Sequence, residues 1–154
     1  MIDPTRTPPY SVWLLILLHV MLSVGALAGG IALILAPDGS LLGMPLYIIE
    51  SSPFADFLIP GVILFTVLGI YPLAVACCLW KRPSWRWPDA ANPFKRHHWA
   101  WAASLSVGVI LLIWITVQVQ YTGVDFLHYL YWAWGIVIMV VTLLPGPRRY
   151  FSAS

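Results

Sequence analysis

Charge is scarce in this chain of 154 residues: Asp, Glu, Lys and Arg make up 9%, against 60% hydrophobic residues. Soluble domains carry about 25% charged residues, so a soluble fold is excluded. The length allows one compact membrane unit over residues 1–154. Cysteine is nearly missing too, since Cys77 and Cys78 are the only two and they are adjacent. A bond between neighbours is strained, and there is no C-x-x-C spacing. That argues against the quinone-linked thiol oxidoreductases built on four membrane helices, which need a separated redox pair, and leaves packing thiols or a regulatory thiol. The chain has no nucleotide-binding loop, nucleophile elbow, H-E-x-x-H or paired intramembrane acid, so catalysis has no visible machinery and the reading leans away from an enzyme. The absence of an internal repeat removes the basis for an inverted-repeat transporter.

What the chain does have is four long apolar runs, at about 11–36, 53–80, 98–121 and 126–144. Each reaches the roughly 20 residues needed to cross about 30 Å of hydrocarbon at about 1.5 Å per residue. The expectation is an all-α membrane protein, a four-transmembrane-helix bundle. Every Lys and Arg lies outside these runs: Arg6 in the N-terminal segment, Lys81, Arg82, Arg86, Lys95 and Arg96 in the middle connection, Arg148 and Arg149 at the C-terminal end. The two alternate connections carry none. By the positive-inside bias both termini face the cytoplasm in a multi-pass protein, with the last seven of these cations on lipid headgroups. That accounts for the net charge of +2 without nucleic acid as a partner. Arg6, the apolar stretch from Val12 and Ala26-Leu27-Ala28 imitate a signal peptide, but apolar residues continue to Ala36, so the segment reads as a retained span.

Local signals refine this. The leader Met1–Pro9 is too proline-rich for a helix, and Pro37-Asp38-Gly39-Ser40 ends the first span in a turn. Small residues gather in the outer half of that span, with Gly25 and Gly29 at G-x-x-x-G spacing, a surface for close packing inside the bundle or for a homodimer seam. The connection 37–52 is long yet apolar, so it should lie in the interface or dip inward, with Gly43 and Pro45 bending it and Tyr47 and Glu50 near headgroups. Ser52-Pro53 reads as the start of the second helix, with Pro60 and Pro72 kinking it. The connection Lys81–His97 should hug the headgroups, Asp125 should cap the fourth helix, and Arg148–Ser154 should form a short cytoplasmic tail.

Candidate sites are few. Asp38, Glu50, Asp56, Asp125 and His128 map to the outer face, with Gln118 and Gln120 just beneath. Carboxylates and a histidine can bind a cation, here around Glu50, Asp56 and His128, although turns and caps account for the same residues and the spacing matches no metal motif. His19 lies deeper and should face the bundle, partnered by His97, His98 or a carbonyl freed by Pro72. Two such histidines from different helices would also suit haem. The aromatic residues form an interfacial belt, except Trp114, which with Trp132 and Trp134 could line a cleft for a quinone, carotenoid or lipid tail.

The stretches Leu42-Gly43-Met44-Pro45-Leu46 and Ser52-Pro53-Phe54-Ala55-Asp56-Phe57-Leu58-Ile59-Pro60-Gly61 resemble small, largely unannotated four-helix membrane proteins of bacteria. The resemblance implies a bacterial cytoplasmic (inner) membrane and supplies no catalytic residue or cofactor. The leading expectation is a non-enzymatic accessory subunit or lipid- or small-ligand-binding module without a cofactor, whose partners are membrane lipids, a larger membrane complex or a second copy. A small dimeric transporter or channel is the alternative; small multidrug-type transporters match only in size, because the first span here lacks an embedded Glu. A haem or metal redox protein is the third.

Overall fold

The computed structural model describes residues 7–152, so Arg6 and the last two residues lie outside it. The described chain is helical, with no strand and a lone bridge between His97 and Ser152. Helix α1, Tyr10–Leu35, begins directly after Pro9, whose extended backbone cannot be carried back into a helix. It ends before Pro37, which pushes Ala36 out of helical geometry. Gly39 then turns the chain at φ 77°, and a Cβ there would lie 1.9 Å from the Met44 carbonyl oxygen. Two 3-10 turns, Ser40–Leu42 and Leu46–Ile49, carry the connection onward.

The second span, Leu58–Lys81, comes in three stretches: α2 (Leu58–Ile63), a π-helical stretch (Leu64–Ile70) and α3 (Tyr71–Lys81). The expected start at Pro53 is corrected by five residues. Ser52 Oγ accepts from Phe54 N at 3.2 Å in a turn of its own, and Asp56 Oδ1 accepts from Leu58 N, the first helical N–H, at 2.9 Å. The delay places Pro60 in the first turn, where N–H groups have no intrahelical partner, so the expected kink there has no cause. Pro72 does disturb the helix, in a different way from the expected kink. The turn before it widens, so that Tyr71 N bonds to the Thr66 carbonyl, five residues back.

Beyond Lys81 come a short helix α4 (Arg86–Ala91), the third span α5 (Trp99–Thr122) and the fourth, α6 (Phe126–Leu143). The C-terminal segment is not a free tail: α7 (Pro145–Tyr150) leads to Phe151, which is fully buried, and the Phe151 carbonyl accepts from His98 N at 2.7 Å. Four helices, namely α1, the composite second span, α5 and α6, are long and apolar enough to cross a membrane. Leu17, Met21, Val24, Ile113, Ile136 and Val140 stand exposed on them, as lipid-facing side chains would.

Packing joins α1 to the whole second span, to α6 and to α7, and pairs α5 with α6. Two crossings bring backbones together. A Cβ on Gly30 would lie 2.8 Å from Phe65 N, and one on Gly108 2.9 Å from the Gly135 carbonyl oxygen. Near the termini the core is solid, with Val12, Leu15, Leu79, Ala100 and Phe151 at 1% exposure or less. Hydrogen bonds tie helices there. Thr142 Oγ1 donates to the Ile138 carbonyl, so Ser104 Oγ donates to Thr142 Oγ1 at 3.0 Å; Trp101 Nε1 donates to the Thr142 carbonyl at 2.8 Å.

Candidate functional site

The far end, away from the termini, is built differently. A cleft of about 610 Å³ lies between the spans, walled by Leu22, Ala26 and Leu33 of α1, Leu64 and Leu68 of the π-helical stretch, and Leu111, Trp114 and Ile115 of α5. Its space arises from two local causes. Gly25, Ala26 and Gly29 turn almost no side-chain bulk toward it. The upper half of the second span packs extensively on α1 only, whereas its lower half, α3, packs on α1 and α5 alike. The apolar connection folds over one side as expected: Ile49 and Phe57 are buried against Leu33, and Leu42, Met44 and Ile48 also line the cleft.

Polar groups collect at the mouth. Asp125 caps α6, its Oδ1 accepting from Phe126 N, and His128 completes a capping box by accepting from Asp125 N at its Nδ1, 3.0 Å away. The imidazole must therefore carry its proton on Nε2, which lies 3.3 Å from Thr122 Oγ1. The ring is buried and already used by the protein's own backbone. Gln118 and Tyr121 stand beside it on the cleft wall.

The expected outer residues are thus divided. Gln118, Asp125 and His128 line the cleft; Glu50, Asp56 and Gln120 do not. Asp56 is spent on the entry to α2, and Asp38 accepts from the Ser40 N–H and hydroxyl, whose hydrogen bonds hold its carboxyl below the usual range. Among the described residues, no three of His, Cys, Asp and Glu sit where they could hold a metal ion. Trp114 lines the cleft as expected, but Trp132 bonds Thr116 Oγ1 and Trp134 reaches the Leu18 carbonyl instead.

His19 is fully buried, and its Nδ1 donates to the Leu15 carbonyl at 2.7 Å, a partner in its own helix rather than His97, His98 or a carbonyl beside Pro72. Its Nε2 and the Ser23 Oγ one turn on have no hydrogen-bond partner among the described residues. His98 is committed at both nitrogens: Nδ1 accepts from Ala100 N, so Nε2 carries the proton and donates to the Pro83 carbonyl. His97 stacks on Trp101, ring centroids 4.4 Å apart. Near the termini, Arg82 lies 4.6 Å over the Tyr150 ring and Lys95 donates to the Asp89 and Ala90 carbonyls.

Sequence reasoning missed Tyr131, Phe57 and Leu68 as walls of the cleft. The signal that could have found the cavity was the cluster of small residues around Ala26, read above as a packing seam. Comparison with protein-family models, with curated proteins and with solved structures finds no match for the chain.

Proposed function

We propose that this is a non-enzymatic integral membrane protein, a four-helix bundle with both termini in the cytoplasm of a bacterium, that holds a lipid chain or similar apolar molecule in the cleft at the outer end. The orientation rests on charge. All described Lys and Arg residues belong to the terminal end, while Asp38, Glu50, Asp56 and Asp125 belong to the far end. The binding function rests on the cleft itself, about 610 Å³, apolar along its length and polar at one rim. Ligand sites usually occupy about 300–1,000 Å³ and have this division of surface. A channel or transporter has less behind it, because the terminal half is filled by side chains at 1% exposure or less, Val12, Leu15, Leu79 and Phe151 among them.

Extracting the protein in mild detergent and identifying by mass spectrometry what stays bound tests this reading. A hydrophobic molecule should be retained by the native chain and lost from Ala26→Phe, which puts a ring into the cleft. Equal retention by both would remove the cleft from the account.

A further inference from the structure

The cleft has a side as well as a mouth. Its wall between the second and third spans is thin, because those two helices pack extensively on each other only through α3, below the π-helical stretch. A lateral groove of about 180 Å³ runs along the outside of this wall, lined by Val67, Leu68, Ile110, Ile113, Trp114 and Val117. Leu68, Trp114 and Val117 also line the cleft. Three side chains therefore face the cleft on one side and the groove on the other, and Ile113 is 58% exposed, with Val117 at 49%. In a bilayer those exposed positions meet hydrocarbon. The widened π-helical turn lies at this partition, where such turns commonly serve function.

Volume and charge restrict what could pass. A methylene takes about 30 Å³, close to one water's share of the liquid, so about 610 Å³ is ample for a long hydrocarbon chain. Moving that chain from lipid into an apolar cleft gains little by itself, since lipid tails are as apolar as leucine. Selection then falls to the head at the rim. The rim offers Gln118, Tyr121 and Asp125, with the acidic Glu50 and Asp56 at the same end and no Lys or Arg there among the described residues. A carboxylate or phosphate head would meet like charge and no cation.

We propose that the cleft takes one hydrocarbon chain of an amphiphile whose head carries no negative charge, and that the chain enters sideways from the membrane between the second and third spans. This rests on the reading of the cleft as a binding site. Monopalmitoylglycerol and palmitate, the latter ionised at alkaline pH, share a chain and differ in the head. Native mass spectra of the full chain in detergent should show one monopalmitoylglycerol bound and palmitate about tenfold weaker, a gap that Asp125→Asn narrows. Deuterated monopalmitoylglycerol bound first and chased with the unlabelled molecule reports the route. Val67→Trp combined with Ile113→Trp closes the groove without touching the cleft lining, and should slow the exchange about tenfold while final occupancy stays within about twofold; a thermal melt shows that this variant is folded. Palmitate binding as well as monopalmitoylglycerol would overturn the head selection. Exchange at the native rate in the folded double variant would overturn the side entrance. Failure of both chains to bind, or binding unaffected by Ala26→Phe, would instead sink the cleft reading itself.

Discussion

The two ends of this molecule are made from the same apolar alphabet and differ in how it fills space. Near the termini, α1 buries Val12, Leu15 and His19, and Leu79, Trp101, Tyr150 and Phe151 are buried in the same core. Two turns further along, the same helix presents Gly25, Ala26 and Gly29, and the facing span leans toward α1 and away from α5, leaving a cleft. Close packing is thereby concentrated at one end and open space at the other. Binding regions are drawn from the less stable parts of a fold, and here the division follows the size of side chains on one helix.

Removing Phe151 should expose this division most strongly. Phe151→Ala empties a fully buried site and should cost about 3–5 kcal/mol, read as a lower melting temperature in detergent, with ligand retention unchanged below the melt. A melt that stays put would mean that the terminal half does not carry the stability. Next in size comes a pair of glycines five residues apart. A Cβ on Gly30 meets Phe65 backbone at 2.8 Å, whereas one on Gly25 meets only Tyr131 Oη at 3.5 Å. Gly30→Ala should destabilise by about 1–3 kcal/mol through forced separation of two helices. Gly25→Ala should be neutral or stabilise by up to about 1 kcal/mol, as alanine does in a helix. Matching losses would indicate that α1 is packed as tightly on its cleft side as at its crossing with the second span.

The spans were legible because hydrophobic length is a one-dimensional property: the ends of α1, α5 and α6 fall within a residue of the expected ones. The Asp125 cap was legible for a similar reason, since capping is local. The second span's start was not, because Ser52-Pro53 carries a good helix-start signal that the structure spends on a tight turn, while Asp56 takes the role. The burial of Phe151 was hidden because it depends on α1 and the His98 start of α5 arriving from far along the chain. The cleft was half visible. Small residues on α1 show where bulk is missing, but whether a neighbour closes the space is decided by the path of the second span.

Acid should weaken the packed end first. The His98 Nδ1 accepts the Ala100 N–H that starts α5, so the ring must stay unprotonated to serve as a cap. Burial holds its pKa below the ordinary value of 6.5, and His97 is shifted the same way by burial and then by Arg148 and Arg96. Below pH 6.5 the unfolded chain takes up protons that the folded one resists. The stability present above that pH is therefore lost as the pH falls through the lower folded values. Melting temperatures between pH 8 and pH 5, taken from about the range where histidine titrates, should fall toward acid, and His98→Asn, which caps without titrating, should flatten the slope. An unchanged slope would assign the acid sensitivity elsewhere.

The smallest effect concerns the border between the two ends. Ser23 Oγ is fully buried without a partner among the described residues, one turn beyond His19, whose Nε2 is in the same condition. An unpaired buried hydroxyl contributes nothing and carries its desolvation cost, so Ser23→Ala should leave the melt unchanged or raise stability by up to about 1 kcal/mol. Ser104→Ala, by contrast, deletes the donor to Thr142 Oγ1 and should lose about 0.6 kcal/mol, the mean for such bonds between membrane helices, and at most about 1.7 kcal/mol. The two serines are the same size and equally buried, so burial cancels and the difference isolates the hydrogen bond. Should Ser23→Ala lose as much as Ser104→Ala, Ser23 has a bound partner, and the polar pair on α1 belongs to the cleft's floor rather than to the packed end.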